Sequence, residues 1–140
     1  MIAFTILGEP ASKANSRRLV YVRGRKKIRA LFIRSKKALK YVEDAKRQIP
    51  GWAKRNWQFP VKVTIRIFYA TERPDLDESL ILDVLQSRYK GSGKNRVLVE
   101  RGVYANDRLV REKHIYHAID RERPRAEIAV EPLFPAATPQ

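Results

Sequence analysis

Asp75 and Asp77 stand either side of Leu76 in the stretch TERPDLDESLILDVL, residues 71–85, which holds five acids in a chain with only fifteen against thirty Lys and Arg. In extended backbone the side chains alternate, so both carboxylates point one way while Leu76 turns toward the core. Two acids held together repel unless a positive charge neutralises them, and that charge is either Lys or Arg or a hard divalent cation with oxygen ligands. Asp107, in YANDR, lies beyond a helix and a loop, where the chain can return beside Asp75 with a third carboxylate. Three such oxygens with open water positions suit metal-assisted hydrolysis of a phosphodiester. The same acids also have plainer roles: Asp77 as a helix cap, Glu78 as a first-turn acid favoured by the helix dipole, Asp107 as a turn residue. Asp83, six residues after Asp77, is rotated well away around the helix and reads as a solvated position.

The charge of the whole chain bears on the choice. A formal net charge of +15 and a pI near 10.5 favour a polyanionic partner, because a positive surface gains free energy by releasing counterions condensed on phosphate backbones. Nucleic acid is the leading candidate, ahead of an anionic membrane. Residues 1–60 hold sixteen Lys and Arg against three acids, and residues 61–140 fourteen against twelve. The first part therefore reads as a phosphate grip, with Lys13, Arg17 and Arg18 in a Ser-rich loop suited to phosphate contacts. The absence of Cys excludes disulfides, thiolate zinc sites and Cys nucleophiles. With no apolar run near 20 residues and no signal-peptide pattern at the start, the expected compartment is the cytoplasm.

The elements that must position these residues follow from periodicity. IAFTILGE reads as a strand, and LVYVRGRKKIRALFIRS as a basic hairpin around Gly24. From Ser35, a plausible N-cap, Ala38, Val42, Ala45 and Ile49 recur at helical spacing, widened by Leu39 and Tyr41, until Pro50-Gly51 stops the helix. VKVTIRIFYA places Val61, Val63, Ile65, Ile67 and Tyr69 on one face at period two and should be a central strand. DESLILDVLQSRY reads as a helix of about three turns with Leu80, Ile81, Val84 and Leu85 inward, which sets the acids at a strand-to-helix junction. KGSGKNR is a loop, ERGVYAND a turn, RLVREKHIYHAID a long strand and AEIAVEPL a last strand. KGSGKN fails the phosphate-loop pattern, since Asn95 follows Lys94. His114 and His117, three apart on a strand, face opposite sides and do not share a metal. Trp52, Trp57 and Phe59 are expected to pack in the core. One domain is expected over residues 1–133, with a disordered tail at 134–140.

RPDLDESLILDVLQ followed by GVYANDRLVREKHIYHAID, together with the opening LGEPASKANSRR and its Pro-x-x-Lys loop, resembles the RusA family of Holliday junction resolvases, carried largely by phages and prophages. The likeness runs from about Ile2 to about Leu133. It implies an α+β homodimer, a small mixed sheet with two main helices, that binds four-way DNA junctions in a bacterial cytoplasm and makes paired nicks with magnesium, manganese substituting. No small-molecule cofactor and no membrane are implied. The family's two D-x-D acids fall on Asp75 and Asp77 and its later essential Asp on Asp107. The chain departs from the pattern at Glu78, where Asn is usual, at Asn106, where an acid is usual, and at Ile81, where Lys is usual. Glu78 is the candidate to compensate the missing acid as a metal ligand. Lys94, in a Gly-flanked loop, is the first candidate for the missing catalytic cation and Lys113 the second, with Lys113 otherwise a DNA contact. Two other functions fit the residues: a basic nucleic-acid-binding protein without catalysis, and a nuclease acting on flaps or forks.

Overall fold

The computed structural model describes residues 1–11, 17–24, 28–72 and 78–133. The chain is of mixed α and β type. Its elements run β1 (Ile2–Leu7), β2 (Arg17–Arg23), β3 (Ile28–Arg34), α1 (Lys36–Gln48), β4 (Val61–Tyr69), α2 (Ser79–Leu85), β5 (Arg88–Lys90), β6 (Val97–Glu100), β7 (Val110–Ile119) and β8 (Arg125–Pro132). The main sheet has the order β1-β8-β4-β7, with β2-β3 and β5-β6 as separate hairpins. β4 pairs antiparallel with β8 and parallel with β7. Its central place follows from its sequence: Val61, Val63, Ile65 and Ile67 are wholly buried and Tyr69 nearly so, five apolar side chains on one pleated face.

That face is covered by the two helices. α1 starts at Ser35, whose hydroxyl accepts from Ala38 N–H at 3.1 Å, satisfying one of the unpaired donors of the first turn. Ala38, Tyr41, Val42 and Ala45 are buried beneath it, in one core with Leu80, Ile81, Val84 and Leu85 of α2 and the inward side of β4. Leu39, expected in the same stripe, is instead half exposed at 49%.

α2 is shorter than its pattern predicts. It ends at Leu85, and Gln86 is already extended with φ −84° and ψ 153°. Leu85 O accepts from Val103 N at 2.7 Å and Ser87 N donates to Tyr104 O at 2.8 Å, so pairing with a distant segment replaces the next helical turn. What reads as one long helix is thus α2 followed by β5, which turns back as β6. The expected turn at ERGVYAND is likewise a buried thread: Gly102, Val103, Tyr104 and Ala105 are inside. Trp57 N and Asn56 N donate to Val103 O and Gly102 O on its other side. A side chain at Gly102 would bring its Cβ within 2.4 Å of Leu85 O and 2.5 Å of Gln86 C, which is why this position tolerates only glycine.

Trp57 and Phe59 stack with centroids 5.1 Å apart against the core, but Trp52 is exposed at 56%, contrary to expectation. Among the described residues no helix is long and apolar enough to cross a membrane. The tail at 134–140 lies outside the described residues.

Candidate active site

Asp75 and Asp77 lie outside the described residues, as does Lys13. Both flanks of the acidic stretch are described. The chain leaves β4 at Tyr69, level with Ile119 of β7; Ala70 N–H donates to Glu9 Oε2 at 2.6 Å and Tyr69 O accepts from Asp120 N at 2.8 Å. It is described again at Glu78, the residue preceding α2, which caps the helix through no side-chain bond.

Glu78 has a different partner. Lys113 Nζ reaches its Oε2 at 2.7 Å. Partial burial pushes the Glu78 carboxyl upward, but the hydrogen bond from Lys113, one from the Glu78 backbone N–H, the Lys113 charge and, least, His117 outweigh it and leave the group below the ordinary glutamate range. Lys113 comes from β7, the outer strand beside β4, and pairs there with Val63. It therefore faces the same way as the buried side chains of β4. β7 is the edge strand of the main sheet among the described residues, and Lys113 and His117 on it are both exposed. His117, four residues on and on the same face, lies edge-on to the Tyr69 ring at 6.0 Å. His114 is on the other face, 2.8 Å from Glu112 Oε2, so the two histidines are separated as their spacing requires.

Asp107 is held elsewhere. It opens a short 3-10 turn, Asp107–Leu109, capped by Asn106, whose side chain accepts from Arg108 N at 2.8 Å. Asn106, where the resemblance expects an acid, thus forms the turn that presents Asp107. Gln86 Oε1 accepts from Asp107 N–H at 3.0 Å, tying Asp107 to the C-terminal end of α2, whereas Lys113 and Glu78 meet at its N-terminal end. Seven helical residues span roughly 10 Å, so Lys113 meets Glu78 at one end of α2 while the Asp107 backbone is anchored at the other. Beneath the turn, Tyr104 OH donates to Leu82 O at 2.9 Å. Burial first, then the Asp107 and Asp83 charges, push the Tyr104 phenol upward, so it stays protonated and able to donate.

Arg17 and Arg18 open β2, opposite Arg34 and Ile33 of β3. Lys94 sits in an exposed 3-10 turn at the tip of the β5-β6 hairpin, with no hydrogen bond or ion pair to Glu78 or Asp107. Asp83 is not a free solvated acid, since Arg34 Nη2 pairs with it and joins the β2-β3 hairpin to α2. Gln86, which holds the Asp107 N–H, carries no signal in the sequence, being a lone Gln at a helix end.

Among the described residues no three His, Asp or Glu side chains gather as a metal-binding group; Asp75 and Asp77 are outside that set. The Asp107 carboxylate is exposed and no cation pairs with it among the described residues, which suits a hard-cation ligand, while Glu78 is engaged by Lys113. No family model matches the chain, and no curated protein matches it.

Proposed function

We propose that this chain is a magnesium-dependent, structure-selective endodeoxyribonuclease of the RusA type that nicks four-way DNA junctions as a homodimer. The observation that carries the reading is the Lys113–Glu78 ion pair. The residues of the D-x-D stretch resemble a family that places a Lys one helical turn later, and here that position is Ile81, wholly buried in the core. Lys113 restores a cation to the start of the same helix from the neighbouring strand. Phosphodiester cleavage places extra negative charge on the scissile phosphate in the transition state, and a nearby ammonium stabilises it.

In this reading Asp75, Asp77 and Asp107 hold the metal, which when bound activates water and neutralises the leaving oxygen. Glu78 orients Lys113 instead of binding metal, and Lys94 is a phosphate contact at the hairpin tip. His117, open on the face of Lys113, is placed to meet phosphate on the same side. The surplus of positive charge in residues 1–60 draws and holds the DNA, and a homodimer supplies the two sites that paired nicks require.

The test is cleavage of labelled four-way junctions, flaps, forks and linear duplexes with and without magnesium. Magnesium-dependent paired nicks in the junction support the reading. Preferred cutting of flaps or forks keeps the chemistry and changes the substrate. Tight binding of every branched form with no nick in any metal makes the protein a nucleic-acid-binding protein.

A further inference from the structure

A groove of about 740 Å³ is lined by residues of α1, the C-terminal part of α2 and the β5-β6 hairpin. Six Lys and Arg line it against two Glu. Part of that charge is internally neutralised, since Lys46 Nζ pairs with Glu100 Oε1 at 2.6 Å. Lys54, Arg88 and Arg101 also line it, and none of the three has a carboxylate partner among the described residues. They come from three different places, the turn after α1, β5 and the residue after β6, yet converge on one cleft. Its floor is apolar, formed by the buried Val42, Ile49 and Val84, with half-exposed Leu39 also in its lining. Gln86 lines the same groove, and its side chain holds the Asp107 N–H. The groove therefore opens beside Asp107.

We infer that this groove carries one phosphodiester strand of the bound nucleic acid away from Asp107, with phosphates on Lys54, Arg88 and Arg101 and the sugar edge against the apolar floor. Unpaired cations on both walls match a backbone that carries one charge per nucleotide, and an apolar floor between them matches the deoxyribose faces between phosphates. An isolated small anion would use two or three of these charges and leave the floor uncovered. The inference rests on the reading of the chain as a DNA-processing protein and adds a strand track that none of Lys13, Arg17, Arg18 or Lys113 supplies.

The experiment measures binding of a fluorescein-labelled four-way junction and of a labelled single strand across a salt series, without divalent metal. The groove variant is the triple Lys54→Gln, Arg88→Gln, Arg101→Gln. The control is Arg66→Gln, Arg121→Gln, Arg123→Gln, which removes the same charge from exposed positions on the open face of the sheet and the β7-β8 turn. The groove triple should make the slope of log K against log salt shallower by about two to three, since each lost phosphate contact removes 0.7 to 0.9. The control should change it by less than about one. The single variant Arg88→Gln, on an exposed strand position, should give about one third of the triple's change and does not depend on the triple's stability. Equal slopes for the two triples, or no change from Arg88→Gln, overturn the strand track while leaving junction nicking in magnesium untouched. A shallower slope from the groove triple in a protein that nicks nothing retains the track and removes the nuclease reading. Displacement of the single strand by a polyglutamate peptide at equal charge concentration, with no preference for nucleic acid, assigns the groove to acidic protein and overturns the inference.

Discussion

At its C-terminal end α2 runs into residues 102–105, where Val103 N, Ser87 N, Asn56 N and Trp57 N form a backbone network inside the protein and Ser87 Oγ donates to Asn56 Oδ1 at 2.7 Å. At its N-terminal end the Glu78 carboxylate is met by an exposed lysine, Lys113. Buried backbone groups must be paired, because an orphaned one costs about as much as a lost hydrogen bond, so the first end is rigid. An ion pair at a surface contributes about 0 to 1 kcal/mol and exchanges readily with water or phosphate, so the second end is adjustable. The contrast suits the proposed chemistry: Asp107 is carried by the fixed end, and Lys113 can turn from Glu78 to a phosphate without disturbing the fold.

Five substitutions test that contrast, in descending order of effect. Asp107→Asn should reduce nicking of a bound junction to background while affinity holds or rises, because a metal ligand and a charge that repels phosphate are both removed. Retained nicking would take Asp107 out of the reaction. Gly102→Ala should destabilise the fold by about 3 kcal/mol in urea unfolding, the upper end for overpacking, because its Cβ would press on the Leu85 carbonyl. A cost below about 1 kcal/mol would mean that the thread yields and the rigid end is not rigid.

Lys113→Ala should lower the single-turnover rate on bound junction by about tenfold to a hundredfold, in the lower range for losing a charge-stabilising group, with little change in affinity. Lys94→Ala should do the reverse, making the salt dependence of binding shallower by about one while sparing the rate. A larger rate loss from Lys94→Ala would return the catalytic role to the hairpin tip. The smallest effect belongs to Glu78→Gln, about 0.5 kcal/mol of stability at pH 7. Because the Glu78 carboxyl is lowered in the fold, its contribution is complete above the ordinary value of 4.5 and is lost as pH falls through the depressed value beneath it. The wild type and Glu78→Gln should therefore converge in urea midpoint at acid pH, separate as pH rises from the depressed value toward 4.5, and stay apart above it.

Much of the scaffold was legible because its signals are local. Period two over residues 61–69, helical spacing after Ser35 and the stop at Pro50-Gly51 each express a preference that the tertiary structure reinforces. The α2 boundary was not legible. Leu85 to Tyr89 has nothing to break a helix, and only the arrival of Val103 and Tyr104, sixteen or more residues later, takes over its backbone groups. Gly102 carried no mark of its own either, since its need for a bare Cα comes from Leu85 and Gln86.

For the candidate site the division is similar. Sequence alone established the acid spacing of Asp75 and Asp77, the lack of thiol ligands, the excess of positive charge and the opposite facing of His114 and His117, because composition and strand alternation depend on nothing distant. Which lysine stands near the D-x-D helix was decided by tertiary structure. From the sequence, Lys94 in its Gly-flanked loop ranks ahead of Lys113 as the candidate cation. The parallel pairing of β7 with β4 instead sets Lys113 against Glu78 at one end of α2, while Gln86 keeps Asp107 at the other. Proximity across a parallel crossover is set by register between strands far apart in sequence, and no spacing within either segment encodes it.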